Sequence, residues 1–177
     1  RHPLSHAHAC QLPLSGEHEY WRARNLLKSE ARTLQHVLPF NSLTRLRLCS
    51  IFTLPAFAKA ARESSAQAAA APGFIEGAVL AEGRLVFWTR TSWENEAAMK
   101  AYRSAAAHGA VMPKLMDWCD EACVTHWEGA VEKDWDALYA RMARDKRMSK
   151  VRKPTKAQQE GRFGPMLRWS PEQLVKK

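Results

Sequence analysis

The chain has no CxxC pair, no HExxH, no phosphate-binding glycine loop, no dinucleotide fingerprint and no nucleophile elbow. These absences set aside the hydrolase, kinase and Rossmann dehydrogenase chemistries that depend on them. Cysteine is scarce. Of Cys10, Cys49, Cys119 and Cys123, the last two sit four apart without the two further ligands a structural zinc needs. All four read as reduced thiols. No apolar run reaches the roughly 18 residues of a membrane span, and the opening RHPLSHAHACQLPLSGEHEYW lacks the continuous apolar core of a secretory signal. The expectation is a soluble, cytoplasmic protein with no membrane partner.

Acidic residues are outnumbered, 18 Asp+Glu against 27 Lys+Arg, for a formal charge of +9. The excess is local. From Arg141 to Lys177 there are 12 basic and 3 acidic residues, whereas the other 140 residues hold 15 of each sign. The body of the chain is therefore not a basic nucleic-acid binder. The end reads as a solvated tail, with docking onto nucleic acid or an acidic partner as the weaker alternative.

At 177 residues and 46% hydrophobic content, the chain suits one domain with a substantial core. Residues 1–39 read as a mobile extension with scattered histidines (His2, His6, His8) and one helical stretch around Tyr20 to Val37. The pattern then sharpens over residues 40–148. SLTRLRL alternates as a half-buried strand, and TLPAFAKAARESSAQAAAAPG reads as a helix with Thr53 as N-cap and Pro-Gly as terminator. FIEGAVLAEG and RLVFWTRTSW are strands joined in a hairpin at Glu82–Gly83. ENEAAMKAYRSAAAHGAVMPKLMDWCDE is helical, with a break expected near Gly109 and Pro113. ACVTHWEGA is a strand, DWDALYARMARDKRM is an amphipathic extra helix, and residues 149–177 form the basic tail.

The order β-α-β-β-α-β predicts an α+β, ferredoxin-like fold with both helices on one face of an antiparallel sheet. Alternation puts Trp88 and Arg90 on one side of the third strand and Phe87, Thr89 and Thr91 on the other. On the last strand Thr125 and Trp127 oppose Val124 and His126. A sheet apolar on both faces needs a second cover, and a second copy of the chain is the expected one.

Those strands, the block FWTRTSWENEAAMKAYRSAAAHGAVMPKLMDWCDEACVTHW and the need for that cover resemble the dimeric α/β-barrel superfamily over about residues 40–148. Within it the sequence is similar to antibiotic biosynthesis monooxygenase-like proteins. A fainter likeness runs to the spheroidene monooxygenase-like group, through the Trp-rich third strand and the histidine of the second helix. The resemblance implies a homodimer and a pocket for a small hydrophobic or aromatic molecule. It also implies either cofactor-free oxidation of an electron-rich ring or, through the fainter likeness, haem. A non-catalytic small-molecule or haem-binding module of the same fold is the alternative.

Two histidines are the candidate catalytic residues. His108 in the second helix is a candidate acid/base, or an axial ligand if haem is bound, beside the small residues Ala105, Ala106, Ala107 and Gly109. His126 on the last strand is a second candidate base. No other metal ligand is expected, since Asp117, Asp120 and Glu121 read as solvated acids. Trp88, Arg90, Trp127, Arg45 and Arg47 are candidate substrate contacts, the arginines through forked hydrogen bonds to a carboxylate. The plainer reading makes these arginines a charged rim or pairs one with Glu76 across the sheet. Asn95 reads as a helix cap, and Trp118 and Trp135 as core.

Overall fold

A computed structural model of the chain describes residues 38–164 and 171–176. The expected N-terminal extension and its helical stretch lie outside the described residues, apart from positions 38 and 39. The elements run β1 (Phe40–Leu48), a 3-10 turn (Ile51–Thr53), α1 (Leu54–Ala70), β2 (Phe74–Glu82), β3 (Val86–Trp93), α2 (Glu96–Ser104), α3 (Ala106–Trp118), β4 (Cys119–Glu128), α4 (Trp135–Asp145), β5 (Arg147–Met148), α5 (Lys156–Gln159) and β6 (Gln173–Val175). The six strands form one sheet in the order β5-β4-β1-β3-β2-β6, and every pairing is antiparallel. Its central four strands have the ferredoxin-like order. Among the described residues no helix is long and apolar enough to cross a membrane.

Local chemistry sets the helix ends. The Ser50 hydroxyl accepts from the Phe52 amide and opens the 3-10 turn. Thr53, expected as a cap, instead donates its hydroxyl to the Ser50 carbonyl at 2.6 Å. Pro55 occupies the first turn of α1, where its missing N–H is tolerated. After α1 the chain reverses at Gly73, whose φ is +75°; a Cβ there would lie 2.7 Å from that of Ala98. Asn95 caps α2 through its Oδ1, as expected, and Asp134 caps α4.

The expected break near Gly109 and Pro113 falls earlier. Pro113 lies inside α3, and the interruption is at Ala105–Ala106, where Ala106 takes a φ of 44°. One absent hydrogen bond at Pro113 is not enough to end the helix. The turn at Ala106 is closed by Gln67, which receives the His108 amide and donates to the Tyr102 and Ala105 carbonyls.

The register of the sheet sorts its residues into rows. One face carries Ala78–Arg90–Leu43–Thr125 and Leu80–Trp88–Arg45–Cys123. The opposite face carries Gly77–Thr91–Ser42–His126, Val79–Thr89–Thr44–Val124 and Ala81–Phe87–Leu46–Ala122. Helices α1, α2 and α3 stand over this second face.

The first face has a cover within the chain itself. Trp135, Leu138 and Met142 of α4 pack with Leu43, Leu80, Trp88 and Cys123 in one buried cluster. Phe163 meets Trp88 edge-on at 5.9 Å. The second copy expected on this face is thus replaced there by the chain's own fourth helix. Residues 149–177 are likewise not only a solvated tail. The Gln158 side chain accepts from the Ala122 amide and donates to the Ala122 and Ser149 carbonyls, and β6 extends the sheet beside β2.

Candidate functional site

A cavity of about 440 Å³ lies between the sheet and helices α1, α2 and α3. Its walls are built from Phe57, Ala61 and Ala68 of α1, Met99 and Tyr102 of α2, and Val111 and Leu115 of α3. The floor is mixed. Ser42, Thr44, Thr89 and Thr91 put four hydroxyls on adjacent positions of β1 and β3, flanked by Val79 and Phe87. His126 stands beside Ser42 across the β1–β4 pairing. The Ser64 hydroxyl is buried at the cavity wall without a hydrogen-bond partner. A buried polar atom of this kind is one that a bound molecule or water would satisfy.

Both candidate histidines line this cavity. The His108 Nδ1 sits 3.1 Å from the Arg103 carbonyl. A carbonyl only accepts, so Nδ1 carries the proton and Nε2 keeps its lone pair. Burial pushes the His108 pKa below the ordinary value, and the Arg103 charge adds to this against the raising effect of the carbonyl bond. The ring lies against Tyr102 at 4.6 Å, which in turn stacks on Trp93 at 4.9 Å. Burial also lowers the His126 pKa, helped by Arg147, Arg103 and Lys100 and opposed by Glu96. The site therefore holds two imidazoles poised in the neutral form near pH 7, in reach of an aromatic-sized space.

The expected substrate contacts are elsewhere. Trp88, Arg90 and Arg45 belong to the face beneath α4, with the whole thickness of the sheet between them and the histidines. The Trp88 indole donates to Glu82 at 2.6 Å. Arg45 pairs with Glu121 at 2.8 Å and approaches Glu82 at 3.8 Å. Arg90 is the arginine that pairs with Glu76, at 2.7 Å. Arg47 pairs with Asp120 and Glu121, both at 3.3 Å, and Trp127 carries the Arg141 guanidinium over its ring at 4.5 Å. These side chains are committed to internal pairs because the α4 face is closed, so none of them reaches the large cavity. Asp120 and Glu121, read as solvated acids, are part of that network. Burial, the largest influence, pushes the Asp120 pKa up. For Glu121 burial also pushes upward, but the bonds from Arg45 and Thr155 and the Arg45 and Arg47 charges together bring it below the ordinary value.

The hydroxyl floor, Ser64, and the rim cations Arg103, Arg147 and Lys150 were not singled out from the sequence. The available signal was the alternation of Ser42 with Thr44 and of Thr89 with Thr91. It places hydroxyls on one strand face but does not say which helices cover them. Among the described residues no group of three or more His, Cys, Asp or Glu could hold a metal ion.

Comparison with known proteins adds the following. The antibiotic biosynthesis monooxygenase family model matches residues 54–114, from the start of α1 into α3. That segment supplies the cavity's helical roof and the β2–β3 part of its floor. A protein of unknown function from Nitrosomonas europaea is similar at 18% identity and a TM-score of 0.47, over 56% of this chain and 96% of that one. A conserved protein from Methanosarcina mazei is similar at 13% identity and a TM-score of 0.49, over 55% and 99%. SnoaB, a cofactor-independent oxygenase from Streptomyces nogalater, is similar at 13% identity and a TM-score of 0.43, over 55% and 97%. No curated protein matches the chain. With the family match and the strand order together, the chain has an antibiotic biosynthesis monooxygenase-like ferredoxin fold.

Proposed function

We propose that the chain is a monooxygenase-like enzyme that oxidises a small hydrophobic, electron-rich aromatic molecule in the cavity beneath α1, α2 and α3. The observation that carries the reading is the pairing of an apolar, aromatic-sized cavity with the neutral His108 imidazole, its tautomer fixed by the Arg103 carbonyl. In this reading His108 Nε2 takes the phenolic proton of the substrate as general base. His126 and the floor hydroxyls of Ser42, Thr44, Thr89 and Thr91 orient the ring oxygens. The ring, made more electron-rich as phenolate, supplies the electrons. A ring C–H becomes C=O, molecular oxygen gives one atom to the ring, and the other leaves as water. No further reductant is needed for that balance.

The test is aerobic incubation with a dihydroxynaphthalene and chromatographic detection of the hydroxyquinone. Wild-type protein should form it, and His108→Gln should slow formation by about 10²- to 10⁴-fold, the usual contribution of a general base. Equal rates in the two proteins would remove His108 from the chemistry.

A second reading, a binding module without turnover that holds a small molecule or haem, has one observation in its favour. The contact of Nδ1 with a backbone carbonyl is also the orienting bond made by metal-ligating imidazoles, and His108 Nε2 would be the atom that holds the haem iron. Haem so held would supply oxygen or electron-transfer chemistry. The absorption spectrum separates the readings. A Soret band that shifts on haem addition to wild type but not to His108→Ala favours haem, and no shift in the wild type rejects it.

We place the protein in the cytoplasm, in keeping with the free thiols of Cys49, Cys119 and Cys123. A homodimer, which the family likeness implies, is also part of the reading. It pairs outside the α4 face, and exposed Ile51 and Phe52 offer apolar surface there.

A further inference from the structure

The charged residues that line the cavity are all cationic. Among the described residues no Asp or Glu lines it; Arg103, Arg147 and Lys150 do. All three are exposed, as are Met112, Met116 and Ser149, so these six residues mark where the cavity meets solvent, between α3 and the edge of the sheet. Arg147 stands opposite Val124 in the β4–β5 pairing and shares its cavity-side face. Arg103 lies in the last turn of α2 and gives its carbonyl to His108.

The three cations have no ion pair among the described residues, unlike the buried arginines Arg45 and Arg90 on the other face. The nearby acid Glu96 is taken by Lys100 at 3.0 Å. An apolar cavity edged by uncompensated positive charge concentrates anions at its mouth, and arginine engages a carboxylate through two parallel hydrogen bonds.

We propose that the molecule bound in this cavity is an aromatic acid, its flat body among the apolar walls and its carboxylate held at the rim by Arg103 and Arg147, with Lys150 adding charge. This inference rests on the reading of the cavity as the binding site and adds the substrate's charge and orientation to it. The carboxylate at the rim turns the opposite edge of the ring toward the hydroxyl floor and Ser64.

The test is calorimetric titration of the full chain with two probes of nearly the same shape, a hydroxynaphthoate and the corresponding naphthol. The acid should bind more tightly than the naphthol. Arg103→Gln and Arg147→Gln, both at exposed positions, should each weaken the acid by about three- to tenfold, the scale of one rim contact between charged groups. Neither variant should change naphthol affinity, and added salt should weaken only the acid. Equal binding of the two probes, unchanged in the variants, would overturn the anion seat while leaving the cavity as a binding site. Binding of neither probe would take down the cavity reading and this inference with it.

Discussion

At the scale of single residues, the two histidines and the two strand arginines behave in opposite ways, and each makes a prediction. His108 and His126 both have folded-state pKa values below the ordinary 6.5. The unfolded chain therefore binds more protons than the folded one as pH falls from about 6.5 toward the lowered values. Their contribution to stability is fully present above 6.5 and is lost as pH drops through the folded pKa values. Melting temperature measured against pH should fall on the acid side, and the fall should be shallower in a His108→Ala, His126→Ala double variant. Turnover that depends on His108 as base should be flat above about pH 6.5 and decline only as pH falls through the lowered His108 pKa.

Arg45 and Arg47 look alike in the sequence but are not equivalent. Arg45 is buried between Glu121 and Glu82 and packs under Phe163 at 5.0 Å, whereas the Arg47 side chain is 39% exposed. Denaturant titration should show Arg45→Ala losing about 3–5 kcal/mol, because the buried Glu121 and Glu82 carboxylates lose the cation between them. Arg47→Ala should lose less than about 1 kcal/mol. Neither change should alter probe affinity in the cavity, as expected of residues that hold the sheet's other face.

At the scale of elements, alternation and end signals made much of the fold legible. β1, the β2–β3 hairpin, the Asn95 cap and the amphipathic run of α4 can each be read from local sequence, because period and capping are local properties. Which strand faces coincide is not local. Alternation separates Trp88 from Thr89 and Trp127 from His126, but only the β1 register shows that Trp88 and His126 lie on opposite sides. For that reason the expected site mixed two faces. The destination of α4 was equally hidden: its apolar stripe asks for a partner without naming it. Charge concealed the role of the last segment, since twelve basic residues from Arg141 onward draw attention away from Gln158 and Phe163. Gln158→Ala would leave the Ala122 amide without its present acceptor, while the Ala122 carbonyl keeps the Ser149 amide, and should lower stability by about 1–3 kcal/mol. Truncation after residue 151 removes Gln158, Phe163 and β6 together. It should lower the melting temperature by several degrees and leave the remaining chain more prone to aggregate.

At the scale of the whole molecule, one sheet serves two purposes. The face under α4 is closed by the chain itself, tied by buried ion pairs and dense with aromatic contacts. The other face keeps a space open beneath three helices. A homodimer that pairs outside α4 should give the same mass by light scattering for wild type and for Leu138→Ala, in which α4 is loosened. A mass that rises only when α4 is loosened would instead assign pairing to the sheet face. The proposed oxidation takes place in the cavity between the sheet and α1, α2 and α3. Oxygen uptake with a dihydroxynaphthalene tests it most directly, comparing wild type with an Ala61→Trp variant shown by circular dichroism to keep its fold. One oxygen should be consumed per hydroxyquinone formed by the wild type, with only the uncatalysed background in the filled variant. Uptake that persists unchanged with the cavity filled, or wild-type uptake no faster than background, would contradict it.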